Sequence, residues 1–449
     1  MAPKIKDMVD GYQDKTLIMK NIGVILLCLA LSVSCGRYLD QSPHDGIPSG
    51  EITHEHAELL VTGLYNIVQY KPTFNGWALF DLIGGDIVRT GATSTNTPEL
   101  MVESAIAPDM SIVTSPWNGY FAGLYQINTV LDYVKRLPDS AQKNSMEGTC
   151  HFFRGLYYYN MAARWRSLPI IKTPSGGEEQ KQQSEENVWE FVAEEFDNAM
   201  RLSPEFTDRN YVSAEAAKGL LARTYLAMGK KSEAVALAEE LISDSRFGLS
   251  DFQDIFRGNP NNEEIFSFAN LLQEGKVNMS SYYYTKDSGV GGSYNFCPTQ
   301  EAIEMYSEKD KRRDVSIAYQ GNNPVLNKYC GGDAGRDPIY VVRLAEMYLI
   351  SAECQGLEKG SDRLNELRRF RGLDDINPSD EEEFLDAVLD ERRLELFGEG
   401  FRWYDLVRCG KYTSVVDVDE KYTVLPIPAR ELTLNDNLHQ HLLWQARMP

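Results

Sequence analysis

The chain has 449 residues, with 66 Asp and Glu against 45 Lys and Arg and a formal net charge of −21. Such acidity disfavours nucleic acid and anionic lipid headgroups as partners, because both attract a basic face. Aromatic residues at 11% supply a large core, so the chain reads as globular.

Residues 19–42 read MKNIGVILLCLALSVSCGRYLDQS. A start Met19, a basic Lys20, an apolar run from Ile22 to Val33 and small residues before Cys35 form a secretory signal with a lipobox-like end. The run is shorter than the roughly 20 apolar residues that span a bilayer. The expected outcome is a cleaved signal at 19–34 and acylation of Cys35, with the mature chain tethered through lipid alone. The polar stretch 1–18 precedes the signal, so translation is expected to start at Met19. Gly36 after Cys35 lacks the Asp that retains some lipoproteins at the inner membrane. With Cys28 in the signal, Cys150, Cys297, Cys330, Cys354 and Cys409 are left over. They form no C-x-x-C pair and are odd in number, so neither a disulfide framework nor a zinc site is expected.

Next in order, His54-Glu55-His56 lacks the H-E-x-x-H spacing of a zinc helix and reads as a solvated helix start. Residues 117–134 space Trp117, Tyr120, Phe121, Leu124, Ile127, Leu131 and Val134 by threes and fours, the period of an amphipathic helix. Residues 147–165 predict another, dense in aromatics and ended by Pro169. Ser184 is the expected N-cap of a helix over 185–202. Residues 213–243 predict a helix, a Gly-containing turn and a second helix. Ala222, Tyr225 and Ala234 fall where a tetratricopeptide unit places small, aromatic and small residues, with the Tyr filling the groove to the next unit. A second pair reads at 343–354 and 361–373. Between these pairs lie two long insertions, 71–116 and 246–340, rich in Gly, Asn, Ser, Thr, Pro and aromatics; loops of that length are usually functional. Strands are expected at 263–269 and 337–343.

Several blocks in order resemble the SusD/RagB family. They are CGRYLDQSP (35–43), VVRLAEMYLISAE (341–353), LDERRLELFGEGFRWYDLVRCGKY (389–412) and LPIPARELTLNDNLHQ (425–440). The 389–412 block is the longest and most specific. The family tail usually continues Asn-Pro-Gly-Tyr, whereas here Gln440 is followed by His441-Leu442-Leu443-Trp444. The resemblance implies a mainly α fold: tetratricopeptide-like helix pairs in one domain over 35–449, with inserted ligand-binding loops and a few short strands. It also implies a surface lipoprotein of the outer membrane without enzymatic activity or cofactor. Such a protein captures glycan, or in some members peptide, and delivers it to a TonB-dependent β-barrel of the SusC type.

The block 389–412 looks catalytic at first sight, with Asp390, Glu391, Glu395, Glu399 and Asp405 among Arg392, Arg393, Arg402 and Arg408. Two carboxylates can hydrolyse a glycoside. Here each acid has an Arg within one helical turn, and pairing lowers a carboxylate's pKa and spoils it as a general acid. The block therefore predicts a structural ion-pair lattice. Gly289, Gly291 and Gly292 lack the Lys-Ser/Thr of a phosphate loop, and no G-x-S-x-G nucleophile occurs. Sugar binding calls for aromatic faces beside planar amides, carboxylates or Arg. In 71–90 the candidates are Phe74, Asn75, Trp77, Asp86 and Arg89. In 281–297 they are Tyr282, Tyr283, Tyr284, Tyr294 and Asn295. For any one of these aromatics the competing role is to anchor a loop to the helices. The competing functions are a surface glycoside hydrolase, which needs an unpaired acid of raised pKa in a cleft, and an adaptor that binds only protein.

Overall fold

Helices begin where the sequence supplies caps. In the computed structural model, which describes residues 53–92, 106–174, 180–275, 277–333 and 335–445, α1 spans His54–Tyr70 and α2 Thr73–Leu82. Then come α3 (Ser111–Lys135), α4 (Ala141–Trp165) and α5 (Glu185–Leu202). Ser140 and Ser184 cap α4 and α5 by accepting from Lys143 N and Asn187 N at 3.0 and 3.2 Å. Ser213 caps α6 (Ala214–Ala227) in the same way, and Gly229 at φ +70° turns the chain into α7 (Lys231–Ser243). The signal segment and Cys35 lie outside the described residues.

Consecutive helices α3 to α7 pack side by side. Ala222 and Ala234 are fully buried, as close helix approach requires. Tyr225 is half-buried, with the Lys230 ammonium over its ring. Its neighbour Arg223 makes a cross-unit contact, to Glu346 at 2.6 Å. The second pair is one element, α8 (Leu344–Phe370), broken at Gly356, whose φ of +71° splits it into two helices. The Glu381 carboxylate, at the start of α9 (Glu381–Leu396), accepts from Leu357 N and so caps the second half. After α9 comes α10 (Arg402–Arg408).

The insertions are more ordered than loops. Within 71–116, helix α2 and strand β1 (Ile87–Arg89) form, and α3 starts at Ser111. Within 246–340 lie β2 (Glu264–Phe268), β3 (Phe296–Pro298), β4 (Ile317–Gln320) and β5 (Asn323–Leu326); β6 (Ile339–Arg343) closes the segment. The two strands expected at 263–269 and 337–343 pair with each other, antiparallel, as β2 and β6. Both are buried along their whole length, and Phe266 and Phe268 pack on Phe152 and Phe153 of α4.

The 389–412 acids form an ion-pair lattice, but most of their partners are distant in sequence. Glu395, fully buried, sits among three guanidinium groups: Arg343 at 2.9 Å, Arg371 at 3.0 Å and Arg312 at 3.1 Å. Arg343 also reaches Glu399 and Glu263 at 2.7 and 2.6 Å, and Arg312 reaches Glu391 at 2.6 Å. Lys328 joins Glu399 at 2.7 Å. Phe252 and Phe256 lie beneath Lys328 and Arg343 as cation–π partners. Only Asp405 pairs within its own block, with Arg392 and Arg408. Burial alone would raise the Glu395 carboxyl, yet Arg371, Arg343 and Arg312 hold it well below the ordinary range.

Asp81 of α2 contrasts with this. It is buried, accepts from Gly400 N at 2.6 Å, and its Oδ1 has no hydrogen-bond partner among the described residues. Burial pushes its pKa to about 7.

Two outcomes follow from these charges. Glu395→Gln removes the counter-charge of three buried Arg and should cost about 3–5 kcal/mol, read as a lower urea midpoint. Asp81 has the opposite sign. Its raised folded pKa makes the protonated form the stable one, so its contribution is intact below the unfolded carboxyl pKa and is lost as pH rises through about 7. Asp81→Asn should therefore raise Tm more at pH 8 than at pH 5.

Candidate functional site

The two aromatic segments named from sequence meet in space. Strands β1 and β3 pair antiparallel, Ile87 with Pro298, Val88 with Cys297 and Arg89 with Phe296. Beyond the ladder, Thr90 N donates to Asn295 O at 2.8 Å and the Thr90 hydroxyl donates to Tyr294 O. Segments 281–284 and 293–295 also run against each other. Ser293 N bonds Ser281 O, Tyr294 N bonds Tyr284 O, and Asn295 N bonds Tyr282 O, at 2.7 to 2.9 Å. Gly292 allows this approach, since a Cβ there would lie 2.1 Å from Tyr284 O.

Phe74 and Tyr282 stack with ring centroids 3.7 Å apart and planes 16° apart. Phe296 closes the cluster behind them, 5.9 Å from Phe74 and 6.4 Å from Tyr282. Phe296 was not singled out in the sequence, because a three-residue strand leaves little periodicity to read. Phe74 and Phe296 are buried and Tyr282 is half-buried. One face of the Tyr282 ring is thus covered by Phe74 while the ring stays partly open. Asn75, Arg89, Tyr294 and Asn295 are likewise half-buried.

Tyr283, Tyr284 and Asp86 turn inward, and Trp77 is half-buried. Tyr283 is fully buried against Phe74 and Phe296. Tyr284 is buried and its hydroxyl donates to Asn327 at 2.7 Å. Trp77 lies on helix α2; its indole N–H donates to Gln69 O at 2.8 Å and its ring edge meets Phe268. It lines a small interior cavity of about 50 Å³ with Tyr159, Arg392 and Tyr404. Asp86 is buried and gripped by Arg393 at 2.9 Å, with Arg402 at 3.6 Å. Its carboxylate is committed to that contact.

Buried polar groups pin the loops. Asp337 accepts from Ser280 N and Ser280 Oγ at 2.8 and 2.5 Å and from Gly331 N at 2.8 Å. Asn270 donates to Val277 O and Asp337 O at 2.7 and 2.9 Å. The segment carrying Tyr282 is therefore tied to both 270 and 331–337, and a ligand meets a face already in place.

Chemically, the face offers the partly open Tyr282 ring and the half-buried amides of Asn75 and Asn295, while the Tyr294 hydroxyl donates to Pro324 O at 3.3 Å. None of these is a nucleophile or a strong acid at neutral pH. Burial pushes Tyr294 to about 12. Among the described residues, no three His, Cys, Asp or Glu gather to hold a metal ion, no helix is long and apolar enough to cross a membrane, and the five Cys are unpaired.

Comparison with known proteins agrees with this architecture. Residues 325–444 match the model of the SusD family, and residues 37–226 match the model described as starch-binding associating with outer membrane. SusD-like protein P25 of Formosa agariphila is 26% identical, over 93% of this chain and 97% of that protein. A SusD superfamily protein from Bacteroides vulgatus superposes with a TM-score of 0.78 at 20% identity, over 87% of this chain and 99% of that one. Surface glycan-binding protein A from Bacteroides thetaiotaomicron, in complex with laminarihexaose, superposes with a TM-score of 0.72 at 20% identity, over 86% and 99%. The two family matches, at opposite ends of one shared fold, establish that the chain belongs to the SusD/RagB family.

Proposed function

We propose that the protein is a non-enzymatic glycan-capture lipoprotein of the outer membrane, anchored through Cys35 and facing the cell surface. It hands oligosaccharide or polysaccharide to a TonB-dependent barrel of the SusC type. The observation that carries the reading is the partly open Tyr282 ring, stacked on Phe74 and flanked by Asn75, Tyr294 and Asn295. An aromatic face meets the C–H side of a pyranose and the amides meet its hydroxyls. The structural relative in complex with laminarihexaose and the starch-binding family description support glycan as the ligand class.

A hydrolase remains the rival because Asp390 makes no ion pair among the described residues and burial raises its carboxyl. It lines an open cleft with Asp310 and Asp374. Asp310 is held by Arg312 on both oxygens, however, and Asp374 pairs with Lys309. Among the residues lining the cleft that leaves exposed Glu308 as the one carboxylate able to act with Asp390, since glycoside hydrolysis requires two. Peptide capture on the same face is the remaining alternative within the family.

The test is retention of the 36–449 protein on a panel of polysaccharides and peptide mixtures, with product analysis of the same samples. Saturable glycan retention without released oligosaccharide is expected. Tyr282→Ala or Asn295→Ala should weaken it about tenfold, a loss of roughly 1.4 kcal/mol, with thermal unfolding little changed. Trp77→Ala should act differently, lowering stability by about 3 kcal/mol as a packing loss while surviving protein still binds. Oligosaccharide release that Asp390→Asn abolishes would replace capture by hydrolysis. Retention of peptide alone would change the ligand and keep the face.

A further inference from the structure

A second groove, sharing no residue with the Tyr282 face, lies between α1, the start of α4 and the segments around 210 and 270. It holds about 290 Å³, near the lower end of small-molecule pockets, which start at roughly 300 Å³. We propose that this groove is a second subsite for a neutral sugar, an inference that rests on the glycan-capture reading.

Tyr65 and Tyr211 form one corner of the groove, their rings meeting at 71° with centroids 6.2 Å apart. Tyr211 is 63% exposed. The Tyr65 hydroxyl accepts from Val212 N at 2.9 Å and fixes that corner. Opposite lie amides and carboxylates already oriented by one another. Gln142 donates to Glu58 at 3.1 Å, and Gln69 donates to Glu274 at 2.6 Å. Leu271 N holds the same Glu274 oxygen at 2.6 Å. Gln69 is 1% exposed, and its Oε1 has no hydrogen-bond partner among the described residues. A buried acceptor left open costs about 1–3 kcal/mol. A donor brought to the groove wall beside it would remove that cost.

The lining selects the occupant. No Lys or Arg lines the groove among the described residues, whereas Glu58 and Glu274 do, so sulfated or uronate sugars are disfavoured. Hydroxyl donors suit the carboxylates and the amide oxygen, and the C–H face of a pyranose suits Tyr211. A peptide strand would need a free sheet edge. The strand at the groove is β2, and its outer edge is closed at Ser267: Ser267 N donates to Arg209 O, and Asn210 Nδ2 donates to Ser267 O.

The experiment is calorimetric titration with laminarihexaose, maltohexaose and mannohexaose, together with retention on the polysaccharide panel. The proteins are wild type, Tyr211→Ala, Gln142→Ala, Tyr282→Ala and the Tyr211→Ala/Tyr282→Ala double variant, each checked for an unchanged melting curve. The expected result is two sites in the wild type and one in each single Tyr variant. Retention on long polysaccharide should fall at least tenfold for either, because two linked sites act by avidity. Unchanged stoichiometry and retention in both Tyr211→Ala and Gln142→Ala would overturn the second subsite. Should Tyr282→Ala then abolish binding, the capture reading would stand without it. Failure of the wild type to retain any glycan would overturn both. Uptake of peptides in a Tyr211-dependent manner would overturn the sugar assignment.

Discussion

Everything on the binding side of this molecule hangs from Glu395. Its carboxylate is shared by Arg312, Arg343 and Arg371, which come from three segments well separated in sequence. Glu263 and Glu399 complete the charge balance around Arg343. Burying so many charges carries a heavy desolvation cost, and a well-packed apolar cluster could be as stable. What the ions add is geometry. Each guanidinium has a fixed fork of donors, so each partner segment can approach α9 in one way. Two residues before Glu395, Arg393 reaches away from the lattice to Asp86. Asp86 immediately precedes β1, the strand that pairs with β3 and brings Phe74 to Tyr282. The candidate face is thus two residues removed from the lattice centre.

The second layer of constraint is a hydrogen-bond network. Asp337, Ser280, Asn270 and Asn278 satisfy one another and the local backbone, so the 277–284 segment has few alternatives. Burial raises the Asp337 carboxyl, and bonds from Ser280 and Gly331 oppose the shift. The lattice positions the strands and this network positions the tip. Together they allow a long insertion to carry a rigid face, which lowers the entropy lost when a ligand binds.

The sequence discloses what depends on local pattern. Ser184 and Ser213 mark helix starts where the caps form, and the apolar spacing at 117–134 lies within α3. Strands β2 and β6 are legible because both are short, β-branched or aromatic and bounded by turn residues. Helix α2 is not legible. It has no side-chain cap and buries seven of its ten residues, so apolar positions surround it and no amphipathic period appears. The acidic block announces a lattice, but Arg312, Arg343 and Arg371 lie 24 to 83 residues from Glu395, beyond any local rule. Among Tyr282, Tyr283 and Tyr284, only the backbone bonds to 293–295 decide which ring faces out. Tyr65 and Tyr211 escape notice because they sit on or beside the helical scaffold, away from the insertions that draw attention.

The distribution of acids separates capture from catalysis. This is a strongly acidic chain, yet its buried carboxylates follow a pattern. Glu395, Glu399 and Asp405 are held low by guanidinium or ammonium groups. Asp81 is held high by burial but sits behind Gly400 with one oxygen in the interior. A general acid must combine a raised pKa with access to a leaving oxygen; Asp81 has only the first property, and Asp390, which has both, lies on a different cleft from the Tyr282 face. The accessible face at Tyr282 has the opposite character, with ring and amide groups that neither gain nor lose a proton near neutrality. The negative field of the whole molecule adds a filter, since it repels anionic chains at long range and leaves neutral ones unaffected. On the proposed reading, a surface built this way holds a neutral glycan without altering it.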